Sequence, residues 1–327
     1  MSALIMESVS APAVATSEAL WGGVGIGSMF VGGLYVLGNR RLVACHWNRD
    51  HPQVIMDRIR AVFITCVVVA CLLSWLFLQR GVVTRVATRL LQSSTTHQPA
   101  SELDALLAIF GLHWLAPARR MLMATTWPLL HTMLLFLGPL VVRWQDYRER
   151  MANYDADEHP SYGHTHRWRI RLRNYVVGPL SEEFVFRACL GALFAQTALS
   201  TTSIVFLSSW LFGLAHVHHA WEMYAKTRTQ KNALRIALAR TGFQLAYCTV
   251  FGSYVMLLFL RTGHLIGPIL SHAFCNIMGL PDCSRLRTAD GRWDIGMLTV
   301  HLLGVLLFIM TASTLLDASL YHSIYWH

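Results

Sequence analysis

Eight stretches of this 327-residue chain are apolar over a length suited to crossing a lipid bilayer: 19–38, 61–79, 121–142, 174–199, 203–219, 243–262, 264–280 and 296–317. The hydrocarbon core offers no water to the backbone. A spanning segment must therefore satisfy its own N–H and C=O groups, which only α-helices and closed β-barrels do. A barrel strand needs about 9–11 residues and a helix about 20, so these runs have helical length. The expected fold class is all-α: a polytopic transmembrane helix bundle of about eight spans. Only 14% of the residues are charged and 54% are hydrophobic, whereas a soluble domain carries roughly 25% charged residues. A single transmembrane domain is expected over 19–327. The Ala/Ser-rich segment 1–18 before it reads as disordered, without the basic n-region and cleavage site of a signal peptide.

Basic residues sort by loop. Those after spans 1, 3, 5 and 7 carry 5, 7, 5 and 3 Lys or Arg; those after spans 2, 4 and 6 carry 5, 0 and 1, the last being Arg261 at the end of span 6, so the totals are 20 and 6. The positive-inside rule then puts the odd loops in the cytosol and both termini on the far side. Spread this way, the net charge of +9 marks topology and contacts to membrane lipid. It forms no patch of the kind that binds nucleic acid, and no such partner is expected. Between spans, LLAIFGLHWL (106–115) reads as interfacial and 220–241 as a basic amphipathic helix on the membrane surface. The seven cysteines, Cys45, Cys66, Cys71, Cys189, Cys248, Cys275 and Cys283, are odd in number, form no CxxC and lie mostly in apolar runs. They read as small buried thiols, not a disulfide framework.

Three runs break the apolar rule. GPLSEEFVFRACL (178–190) carries Glu182, Glu183 and Arg187; FGLAHVHH (212–219) carries Phe212, His216, His218 and His219; SHAFCN (271–276) carries His272 and Asn276. A charge at mid-bilayer costs roughly 2.5–3.5 kcal/mol on insertion scales, so such a set marks a site. On the charge-derived orientation the three runs meet at similar depth near the cytosolic face. Glu183 and Arg187, at i,i+4, are expected to pair on one helix face, which leaves Glu182, about 100° around the helix, for another partner. His272 and Asn276 share a face for the same reason. The Gly-Pro pairs at 178–179 and 267–268 suggest a break or start of a helix at membrane depth, tolerated where it lines a protein-walled cavity.

Taken one at a time, each residue also has a plain reading. Glu183–Arg187 can be a neutralising pair, His216 and Asn276 interhelical hydrogen-bonders, Phe212 packing, and His218 with His219 a mark of the membrane boundary. Together they have the parts of a hydrolase: a carboxylate and an imidazole to activate water, and a second imidazole with an amide to stabilise an oxyanion. Glu182, His216 and His272 would also make a His₂Glu zinc set, although the chain lacks HExxH. A thiol mechanism through Cys275 or Cys189 is weaker still. A non-catalytic membrane scaffold of the same fold, or a transporter using these groups as a proton relay, is the reading from another class.

In order and spacing, Glu182-Glu183-x-x-x-Arg187, Phe212-x-x-x-His216 and His272-x-x-x-Asn276 resemble the three motifs of the type II CaaX prenyl endopeptidases, the Ras-converting enzyme family. NRDHPQVI (48–55) extends the likeness toward span 1, and the motif core is 178–282. The resemblance implies a glutamate-dependent protease of the endoplasmic reticulum membrane, without metal or other cofactor. Such an enzyme takes the last three residues off prenylated CaaX proteins, Ras-like small GTPases among them. By motif position it implies Glu182 as the base that activates water, with His216 assisting, and His272 with Asn276 as the oxyanion hole. Glu183, Arg187 and Phe212 would support them. No role is implied for CSRLRTADGRW (283–293).

Overall fold

The computed structural model describes residues 12–36, 50–93, 101–112, 118–152, 164–229, 231–280, 284–288 and 290–326. Helices fall on every apolar run. They are α1 Thr16–Val36, α2 Pro52–Gln79, α3 Val82–Ser93, α4 Glu102–Ile109, α5 Ala118–Leu135 and α6 Leu137–Ala152. A continuous helical stretch from His164 to Phe194, α7, follows; then come α8 Thr201–Ala215, α9 His218–Thr227, α10 Ala233–Thr262, α11 Ile266–Met278 and α12 Ile295–Leu315. Among the described residues there is no strand, only an isolated antiparallel bridge between Arg287 and Trp293. The chain is an all-α helical bundle.

Four helices, α1, α2, α10 and α12, are long and apolar enough to cross a membrane individually; α5 and α6 qualify as a pair but are bent by 79°. The expected count of eight is thus matched by helices but not by eight full-length spans. α8 and α11 have 15 and 13 residues, about 20–22 Å at 1.5 Å per residue, and α7 carries the buried charges. Outward faces are apolar, as a lipid-facing surface requires. On α12, Leu302, Leu306, Ile309 and Met310 are all exposed.

Local chemistry sets the boundaries. Ser101 caps α4 reciprocally with Asp104, Ser200 caps α8 through the Ser203 N–H, and Asp294 caps α12 through the Met297 N–H, each satisfying an orphan helix-end donor. Gly263, at φ +68, ends α10 in the left-handed region that glycine enters without penalty. Two glycines let α8 and α10 approach closely. A Cβ on Gly213 would lie 2.7 Å from Thr249 Oγ1, and one on Gly252 would lie 3.1 Å from Ser209 Cβ.

The two ends of the bundle are distinct. At one, Leu265 N–H donates to Gly111 O, 2.9 Å, Ser323 Oγ donates to Leu260 O, 2.7 Å, and the Tyr325 hydroxyl donates to Ile109 O. At the other, Arg143 donates to Ile277 O, 2.6 Å, Arg173 pairs with Asp50, 2.8 Å, and Arg285 pairs with Asp146 and Glu149. The second end holds the residues of the odd-numbered, basic loops.

Several expectations are corrected. Gly178-Pro179 does not interrupt α7. Proline cannot donate to the residue four before it, and the helix absorbs this by widening: Arg173–Val177 is π-helical, and Gly178 N–H reaches back to Arg173 O. Gly267-Pro268 does stand at a helix start, that of α11. The 220–241 segment is not one surface helix, because α9 ends at Thr227 and the rest begins α10. In the described part of LLAIFGLHWL, Ala108 and Ile109 belong to the hydrophobic core; there the stretch packs inward. Cys189, Cys248 and Cys275 are buried thiols, but Cys71 is exposed. Residues 1–11, Cys45 and Cys283 lie outside the described residues, as do parts of NRDHPQVI and of 283–293. Within 1–18, Val14 is buried and its N–H donates to Gln196 O, 3.1 Å.

Candidate active site

The three polar runs converge. α7 supplies Glu182 and Glu183, α8 and its exit supply Phe212 and His216, and α11 supplies His272 and Asn276. Glu182 Oε2 lies 3.9 Å from His216 Nε2 and 3.9 Å from His272 Nε2. These separations exceed hydrogen-bond range but suit a bridging water. Each ring is held from its other nitrogen. His216 Nδ1 meets Phe212 O at 2.8 Å; a carbonyl only accepts, so Nδ1 donates and Nε2 is the nitrogen turned toward Glu182. His272 Nδ1 lies 2.5 Å from Glu183 Oε1.

The adjacent glutamates occupy different surroundings. The side chain of Glu183 is 0% exposed and that of Glu182 is 25% exposed. Glu183 Oε2 pairs with Arg187 Nε at 3.0 Å, as the i,i+4 spacing predicts. The same carboxylate also holds His272, a link that spacing alone does not reveal. The Arg187 guanidinium carbon stands 4.2 Å from the centre of the Phe212 ring, a cation–π contact. Phe212 therefore does three things: it covers Arg187, fixes His216 through its carbonyl, and is itself buried. The helix continues as π-helix from Phe184 to Cys189, a geometry that recurs at functional sites.

Residues outside the motifs complete the frame. Phe251 of α10 sets its ring 5.0 Å from that of His272; the Tyr247/Phe251 aromatic pair at i,i+4 was the available sequence signal. α11 is fixed from behind, where Thr132 Oγ1 donates to Ser271 Oγ at 3.0 Å. Its end is capped by Arg143. One N–H of Asn276 Nδ2 goes to Asn174 O at 3.0 Å, which leaves its second N–H. Nothing in the sequence singled out Asn174 or Arg143.

A cavity of about 860 Å³ opens beside this cluster, lined by Glu182, Phe212, His216, His272 and Asn276 among others. A smaller one, about 110 Å³, touches Glu182 and His216 from the side of α1 and α2, against Phe30, Leu34 and Val62. Glu182 thus lines both cavities, the smaller of which has Arg58, Arg173 and His218 on its wall besides the apolar residues. His219 lines both as well. Among the described residues, no group of three or more His, Cys, Asp and Glu side chains is arranged to hold a metal ion.

A family model described as type II CAAX prenyl endopeptidase, Rce1-like, matches residues 165–278. The human protein named CAAX prenyl protease 2 is 35% identical over 302 residues, which are 90% of this chain and 80% of that protein. This chain belongs to the type II CAAX prenyl endopeptidase family. The Rattus norvegicus CAAX prenyl protease 2 is 32% identical over 302 residues, 90% of this chain and 79% of its own. The Schizosaccharomyces pombe probable CAAX prenyl protease 2 is 38% identical over 184 residues, 56% and 64% of the two chains. No solved structure matches. The matched family region contains all seven candidate residues, from Glu182 to Asn276, and also Asn174 and Phe251.

Proposed function

We propose that this chain is an endopeptidase that removes the C-terminal aaX tripeptide from prenylated CaaX proteins, Ras-like small GTPases among them. It would act in the endoplasmic reticulum membrane, through a single protease domain over 19–327 whose site is reached from the cytosol. One observation carries the chemistry: Glu182 faces two imidazole Nε2 atoms, each 3.9 Å away, at the wall of a cavity large enough for a peptide.

A water held between Glu182 and His216 gives its proton to the carboxylate, and its oxygen attacks the carbonyl carbon of the peptide bond after the prenylated cysteine. The carbonyl π electrons move onto oxygen. That oxyanion accepts hydrogen bonds from His272 and from the free N–H of Asn276, the stabilisation that fixed donors provide. Collapse breaks the C–N bond, and the proton returns from the Glu182–His216 pair to the leaving amine. For His272 to donate from Nε2 while bonded to Glu183 through Nδ1, the ring must carry both protons. The buried Glu183 carboxylate supplies the counter-charge for that form, and Arg187 and Phe212 hold the carboxylate in place.

The prenyl group fits this reading, because each CH₂ buried in hydrocarbon contributes about 0.8 kcal/mol and the smaller recess offers an apolar wall. The test is release of the tripeptide from a farnesylated CaaX peptide by purified protein, read by mass spectrometry. Glu182→Gln should lose about 10²–10⁴ in rate while retaining its fold. Turnover near that of the unmodified protein would end the assignment of Glu182 as base.

A further inference from the structure

The larger cavity carries charge away from Glu182. Its lining includes two arginines, Arg173 and Arg240, and Glu182 as its one acid. Arg173 is engaged, by Asp50 at 2.8 Å and by Asn174 Oδ1 at 2.8 Å. Arg240 has no such partner among the described residues. It starts a stripe along α10, Arg240, Gln244, Tyr247 and Phe251, all on the cavity wall and spaced so that they share one helix face.

We infer that Arg240, with Gln244 beside it, binds the terminal carboxylate of the aaX segment and so measures the distance from the cleaved bond to the end of the substrate. This rests on the proposed CaaX reading. Phe251 marks the level of the reacting groups, since its ring is 5.0 Å from that of His272. Arg240 lies eleven residues earlier on α10, about 16 Å along the axis at 1.5 Å per residue. An extended tripeptide covers about 10–11 Å. The remaining 5–6 Å is within the combined reach of an arginine side chain, whose guanidinium can sit about 6 Å from its Cα by covalent geometry, and of the charge-assisted hydrogen bond of about 2.8 Å that it donates. A chain terminus is ionised at neutral pH, because its carboxyl titrates near 3.3–3.7. A guanidinium offers such a carboxylate paired, charge-assisted donors. An internal peptide segment presents no charge there, so the device would select chain ends three residues past the prenylated cysteine.

The experiment compares a farnesylated CaaX peptide ending in a free acid with the same peptide ending in an amide, on unmodified protein, Arg240→Gln, Arg240→Lys and Arg235→Gln. Arg235 is an exposed cation on the same helix that does not line the cavity. The unmodified protein should prefer the acid by about 10–100-fold in kcat/KM, the value of a charge-assisted contact, mainly through KM. Arg240→Gln should lose that preference by weakening the acid alone, Arg240→Lys should restore part of it, and Arg235→Gln should leave it unchanged. If Arg240→Gln slows acid and amide equally, or if Arg235→Gln has the same effect, the arginine serves the lipid headgroups or the surface potential and the inference fails. If the unmodified protein cleaves the acid but shows no preference over the amide, the inference fails while the protease reading stands. Cleavage of neither peptide overturns both.

Discussion

Glu183 offers the sharpest test of how the site is held together. It is fully buried, 3.0 Å from Arg187, itself 1% exposed, and 2.5 Å from His272 Nδ1. Glu183→Gln keeps the shape and removes the charge. Arg187 is then a buried cation left with only the Phe212 ring face, and breaking a buried pair from one side costs about 3–5 kcal/mol. Arg187→Gln strands the carboxylate and should cost a similar amount. In the double variant neither charge remains, so it should recover about 1–3 kcal/mol relative to the sum of the single changes. Activity should behave differently. The double variant regains stability but not turnover, because His272 still lacks the Glu183 carboxylate that holds its Nδ1. Unfolding in mixed micelles gives the stability cycle, or unfolding rates do where the transition is irreversible; peptide cleavage gives the kinetic cycle. Additive stability losses would show that the two residues do not interact. Full recovery of turnover in the double variant would reduce Glu183 to a partner of Arg187 alone.

Three further outcomes are expected. Gly213→Ala sets a Cβ 2.7 Å from Thr249 Oγ1 and 3.1 Å from Leu245 O, so it should destabilise the α8–α10 contact by about 1–3 kcal/mol. Gly25→Ala, with nothing within 4 Å, should cost nothing by the same unfolding measurement. In a cysteine-free background, Lys231→Cys should react with an impermeant reagent applied from the cytosolic side and Thr201→Cys only after the lumen is opened; the reverse pattern would overturn the charge-derived orientation. Elemental analysis of active protein should find metal well below one per chain, with activity surviving strong chelators. Stoichiometric zinc whose removal abolishes cleavage would instead make Glu182, His216 and His272 a ligand set.

Much of this was legible in the sequence because membrane helices are specified by local rules. Apolar length located a helix at each run, and i,i+4 spacing predicted the Glu183–Arg187 pair. What escaped depends on groups that meet only after folding. Glu183 and His272 are 89 positions apart, and no periodicity relates them. Gly178-Pro179 looked like a break because proline removes a hydrogen bond, yet a helix can also answer by widening one turn. That response depends on packing around α7, which no local window contains.

The consecutive glutamates show why the distinction matters. Successive residues on a helix point about 100° apart, so one turn can aim one carboxylate into a watery cavity and its neighbour into the protein. The side chain aimed at the cavity, Glu182, is a quarter exposed and has two imidazole Nε2 atoms at 3.9 Å, distances that leave room for a reactant. The other, Glu183, has no exposure and lies at 2.5 and 3.0 Å from its partners, which leaves none. A glutamate meant for proton transfer must stay reachable by water, whereas one meant to fix an imidazole must not. Exchanging their surroundings would leave the motif intact in sequence and the proposed chemistry without its base.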